Sequence, residues 1–98
     1  MASWRIEILD DGVGGVAFRP FVPGSQPGDR LRAGDGDTVV WTNRTNRDLT
    51  LVSTDDPAIN QSIEAGGSSP HLYVVSGSPR DIVYACIAPR QDHVVQAR

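Results

Sequence analysis

The chain has no lysine, two glutamates, one cysteine and one methionine among its 98 residues, and no histidine before position 71. Each shortage excludes something. Without Lys, and with little Glu, Leu or Gln, the straight-chain residues that favour helices are scarce. The lone Cys86 excludes an intrachain disulfide, so the fold must be stable without a covalent staple, and a single thiol is compatible with either redox compartment. No apolar run approaches the roughly 20 residues of a membrane-spanning helix, so no membrane partner is expected. The nine basic residues are scattered arginines in a chain of formal net charge −3, which offers no phosphate-neutralising stripe and argues against nucleic acid.

What is present points to β-structure. Val, Ile and Thr are abundant, and ten glycines and seven prolines supply turns. Ninety-eight residues suffice for one domain and one core, so residues 1–98 are read as a single unit. Trp4, Ile6 and Ile8 alternate with Arg5 and Glu7, the pattern of a strand with one buried face. Val16 to Val22 is a short apolar stretch broken by Pro20, which suggests an edge position. Leu31 to Ala33, Thr38 to Asn43, Leu49 to Ser53, Leu72 to Val75, Asp81 to Ala88 and Val94 to Ala97 also read as strands, with Asp81 to Ala88 central to a sheet. Ala58 to Ile63 is the one place for a helical turn. About seven strands suit an all-β, Greek-key β-sandwich. Its expected core is Ile6, Ile8, Phe18, Val39, Trp41, Leu51, Val74, Ile82 and Tyr84.

Three stretches, in order, carry a family resemblance. Gly36-Asp37-Thr38-Val39-Val40-Trp41-Thr42-Asn43, preceded by Phe18-Arg19-Pro20, resembles the G-D-x-V-x-W-x-N strand and F-x-P of the cupredoxins, the β-sandwich family of blue-copper proteins. Glu64-Ala65-Gly66-Gly67-Ser68 is similar to that family's glycine-rich turn, and Tyr84-Ala85-Cys86-Ile87-Ala88-Pro89 to its Y-x-C strand followed by proline. The resemblance covers nearly the whole chain and implies a cupredoxin-like sandwich, in a family that is usually exported; Met1 to Glu7 read as the start of a strand and not as a signal peptide, and the compartment stays open. An immunoglobulin-like sandwich, suggested by Trp41 and Tyr84-Ala85-Cys86, lacks the first cysteine.

The resemblance also implies a copper site, and the ligand set departs from it. Type 1 copper needs two imidazoles and a thiolate, usually with an axial thioether. Leu49 stands where the family's upstream histidine would be, Arg90 and Gln91 follow the proline, and Met1 is the only methionine. Cys86 alone is kept, with His93 seven residues on. The expected function is therefore a cupredoxin-like binding or interaction module without its copper centre or any cofactor, not an enzyme, with a protein or small molecule as partner. The alternative is an atypical copper or zinc site of Cys86 and His93, completed by Asp92 or Asp48 or across a homodimer. Elsewhere, His71 and His93 read as solvated residues at strand entries, and Arg90 as a loop arginine able to grip a carboxylate or phosphate. Asp55-Asp56-Pro57 and Gly12-Val13-Gly14-Gly15 read as turns.

Overall fold

The computed structural model describes residues 1–87 and 90–98. Among these residues there is no helix, and nine strands form two facing sheets. Strands β1 (Ser3–Asp10), β2 (Val16–Pro20), β4 (Thr38–Asn43) and β7 (Tyr73–Val74) build the first sheet, in the order β2-β1-β4-β7. The second comprises β3 (Leu31–Ala33), β5 (Leu49–Val52), β6 (Asn60–Ile63), β8 (Arg80–Ile87) and β9 (Gln91–Ala97), in the order β3-β9-β8-β5-β6.

The alternation of β1 places Ile6 and Ile8 in the core, opposite Trp41 and Asn43 of the parallel β4 and opposite Pro20 and Phe18 of the antiparallel β2. Pro20 does lie on an edge strand, where its missing N–H costs no ladder bond. β8 is central, flanked by β9 and β5, and directs Ile82, Tyr84 and Cys86 inward. The turn into β4 uses Gly36 at φ +84°, a left-handed conformation that side chains disfavour.

Three expectations are corrected. Ala58 to Ile63 forms no helical turn: Asn60–Ile63 is strand β6, held by antiparallel pairing with β5. The strand near residue 74 faces the other way, so Tyr73 and Val75 are buried whereas Val74 is 53 % exposed. An apolar run with no polar alternation leaves the register open, and one step exchanges the faces. Val74→Ser should therefore change stability by less than about 0.5 kcal/mol in urea denaturation, as at an exposed position, rather than the larger loss expected of a core valine. The third correction is His93, which is no solvated residue: β9 begins at Gln91, and His93 is buried within it. Ala88, the expected end of the eighth strand, and Pro89 of the Y-x-C motif lie outside the described residues.

Candidate functional site

Cys86 and Leu49 lie on neighbouring strands. β5 and β8 pair antiparallel with Leu51 opposite Cys86, so Leu49 sits diagonally from Cys86 on the same inward face, and both are fully buried. Asn43 positions the approach to Leu49. Its Nδ2 donates to the carbonyls of Arg47 (2.7 Å) and Ile63 (3.1 Å), and its Oδ1 accepts from the Thr45 amide and hydroxyl. This strap, built on a fully buried side chain, closes the loop from β4 into β5.

His93 faces the same interior as Cys86, two residue pairs along. Tyr84 is opposite His93, and Cys86 opposite Gln91. The imidazole stacks on Phe18 at 5.1 Å and 19° and meets Tyr84 edge-on at 5.4 Å. Its hydrogen bonds have one consistent direction. Trp41 Nε1–H can only donate, and it does so to Tyr84 Oη at 2.9 Å. The Tyr84 proton then goes to His93 Nδ1 at 2.6 Å, which leaves the imidazole proton on Nε2, donated to the Asp29 carbonyl at 2.6 Å. Neutral His93 thus closes a chain from Trp41 to the loop before β3 with every polar group paired. Burial holds its pKa below the ordinary histidine value, reinforced by nearby Arg30 and opposed by the Asp29 hydrogen bond. Burial likewise pushes the Tyr84 hydroxyl well above its ordinary value and raises the Cys86 thiol, the latter against the pull of Arg47.

The other candidates are apart from this centre or committed to the fold. Asp92 is exposed and pairs with exposed Arg90 at 3.3 Å. Asp48 caps the Ala65 amide at 3.0 Å. His71 is exposed, with its backbone held on both sides by the buried Gln61 side chain. Asp55 accepts the Val83 amide, and Asp56 takes the Tyr73 hydroxyl (2.6 Å), Arg80 (3.0 Å) and the Ala58 amide. Among the described residues no group of three His, Cys, Asp or Glu side chains is gathered to hold a metal ion.

Two buried acids escape a reading by periodicity. Glu7 points to the outer face of β1, where Arg19 (2.6 Å) and Arg44 (3.2 Å) close over it. The Arg19 bond holds its carboxyl below the ordinary range against the cost of burial, with Arg44 adding to it. Asp37 accepts Trp4 Nε1, the Ala2 amide and the Gly34 amide at 2.8–2.9 Å, and is lowered to about 2, first by the Trp4 bond. The sequence signals this centre only in part: Trp41 and Tyr84 read as core aromatics, but nothing local pairs them with His93.

Comparison with known proteins gives a fold and no family. No protein-family model matches the chain, and no curated protein matches it in sequence. Among solved structures it is similar to the crystal structure of McoA multicopper oxidase from the hyperthermophile Aquifex aeolicus, with a TM-score of 0.54 and 8 % identity. The fold is cupredoxin-like. The likeness covers 97 % of this chain and 26 % of that one, so the chain spans about a quarter of the oxidase. At such low identity the agreement concerns the path of the backbone, and the copper chemistry in the oxidase's name belongs to the oxidase.

Proposed function

We propose that the domain is a cupredoxin-like binding or interaction module that carries no type 1 copper centre and catalyses no reaction of its own. The observation that carries this reading is Leu49, an aliphatic side chain 1 % exposed at the position that the family motif gives to a ligand imidazole. The donor set around it fits copper poorly. Both nitrogens of the neighbouring imidazole, His93, are spent on Tyr84 and Asp29, and burial favours the protonated Cys86 thiol over the thiolate that a metal requires.

The test is a copper titration followed by elemental analysis and visible absorption. The expected result is no intense blue band and no tightly bound stoichiometric copper. One copper per chain, lost on Cys86→Ser, would overturn the reading, and its loss on His93→Ala as well would establish the Cys86–His93 site in its place. Leu49→His should raise copper affinity while lowering the stability of the metal-free protein by about 1–3 kcal/mol, because it buries an imidazole without a partner.

A further inference from the structure

A surface that combines exposed apolar side chains with arginines lies where β2 leaves its sheet. After Pro20 the chain turns outward through Phe21, Val22, Pro23, Gly24 and Ser25, with Phe21 60 % and Val22 38 % exposed. The turn is held, not loose: the Phe21 amide donates to the Arg5 carbonyl at 2.8 Å, the Ser25 amide to the Val22 carbonyl at 3.0 Å, and the Ser25 hydroxyl to the Pro20 carbonyl. Three adjoining concavities meet at Val22 and Pro23. One is bounded by Trp4, Arg5 and Val40, one by Arg19 and Phe21, and one by Leu31, Arg32 and Arg98.

The charge there opposes that of the whole chain. Arg5, Arg19, Arg30, Arg32 and Arg98 line these hollows in a protein of net charge −3. Arg19 is drawn to Glu7, and Arg30 meets Asp81 at 3.4 Å. Arg5, Arg32 and Arg98 are exposed and have no ion-pair partner among the described residues. The acid in the lining, Asp29, caps the Gln26 amide at 2.8 Å. An exposed aromatic beside proline, rimmed by unpaired guanidinium groups, has the composition of an interface centre: the ring supplies an anchor, and the arginines take carboxylates in bidentate fashion.

We infer that the hollows around the Phe21–Ser25 turn form a docking surface for an acidic polypeptide segment, its carboxylates on Arg5 and Arg32 and an apolar side chain against Phe21, Val22 and Pro23. This rests on the reading of the domain as a binding module and specifies its partner. The guanidinium groups of Arg5 and Arg32, which have no ion-pair partner among the described residues, are complementary to an acidic chain. The apolar loop between them distinguishes such a segment from a bare polyanion, whose charge gains nothing from Phe21.

The test uses the copper-free protein and short fluorescein-labelled peptides read by fluorescence anisotropy: a Glu-rich peptide with a central Phe-Leu pair, its Gln counterpart, its Arg counterpart, and a single-stranded DNA of similar length. The Glu peptide should bind at least about tenfold more tightly than the Gln peptide and weaken as salt rises. The double variant Arg5→Glu, Arg32→Glu should abolish that preference and favour the Arg peptide, and Phe21→Ser should weaken the Glu peptide about fivefold or more. These side chains are exposed, so the variants should keep the native fold, and an unchanged far-ultraviolet circular dichroism spectrum with a single cooperative unfolding transition checks that they do. Equal binding of the Glu and Gln peptides, indifference to either variant, or DNA binding as tight as the Glu peptide would overturn the inference. A failed peptide titration removes this surface alone, whereas stoichiometric blue copper removes the reading beneath it.

Discussion

Tyr84→Phe should lower the stability of the domain by about 2–4 kcal/mol, although it removes a single oxygen atom. That oxygen serves two groups. It accepts the Trp41 Nε1 proton and donates its own to His93 Nδ1, in a core where Trp41 and Tyr84 are at most 1 % exposed. Phenylalanine fills the same space but leaves one donor and one acceptor without water or partner, each costing about 1–3 kcal/mol. The edge-on contacts of the ring with Phe18 at 5.3 Å and Trp41 at 5.2 Å survive the change, so the loss isolates hydrogen bonding from packing. Urea denaturation at mildly alkaline pH, where the imidazole is neutral in both states, measures it. A loss below about 1 kcal/mol would show that the chain of bonds is not closed as described.

Acid should destabilise the protein in two arms. His93 has a folded pKa below its ordinary value of about 6.5, whereas in the unfolded chain it titrates near that value. Above the unfolded value neither state binds the proton, and His93 makes no contribution to pH dependence. As the pH falls through about 6.5 the unfolded chain takes up a proton that the folded protein refuses, so stability drops by up to about 1.4 kcal/mol per pH unit until the folded value is reached. The second arm starts near the ordinary carboxylate range. Glu7, Asp37 and Asp56 are lowered in the fold, so their stabilisation is complete above about pH 4–5 and is lost as the pH falls through their folded values. Denaturation midpoints should therefore begin to fall near the ordinary histidine value and fall further as the carboxylates titrate. His93→Gln should remove the upper slope and leave the fall in the carboxylate range. An unchanged upper slope in that variant would rule out His93 as its origin.

These titrating groups mark the limit of what local pattern reveals. Thr38–Asn43 and Leu31–Ala33 are legible residue for residue, because β-branched and apolar positions lie between clear turns, and β1 is legible from its alternation. The neighbourhood of Leu49 and Cys86 also follows from motif order and strand pairing. Asn60–Ile63 does not show as a strand in the sequence because it is mostly polar. Its inward residues are Ile63 and Gln61, and the Gln61 side chain is made tolerable in the interior by the backbone of His71 ten residues away. His93 stands between Asp92 and Val94 and looks exposed; Tyr84 across the ladder and the Asp29 carbonyl, sixty-four residues away in the chain, satisfy its two ring nitrogens and allow its burial. Glu7 follows the same logic, since the arginines that neutralise it come from two other segments. Polar burial is decided by partners distant in the chain, and periodicity is blind to them.

The strand order also bears on how the chain reaches its native state. The first strand, β1, lies between β2 and β4, and the last, β9, lies between β8 and β3, so each is an interior strand of its sheet. During synthesis the early β3 waits, because its ladder partner is β9 and the pairing of Leu31 with Val95 spans most of the chain. The second sheet therefore cannot be completed from the N-terminus onward: β5, β6 and β8 can pair with one another, but β3 stays unpaired until β9 is available. Loop closure over such separations precedes the contacts that reward it, which places folding in the slow, millisecond-to-second class of all-β domains.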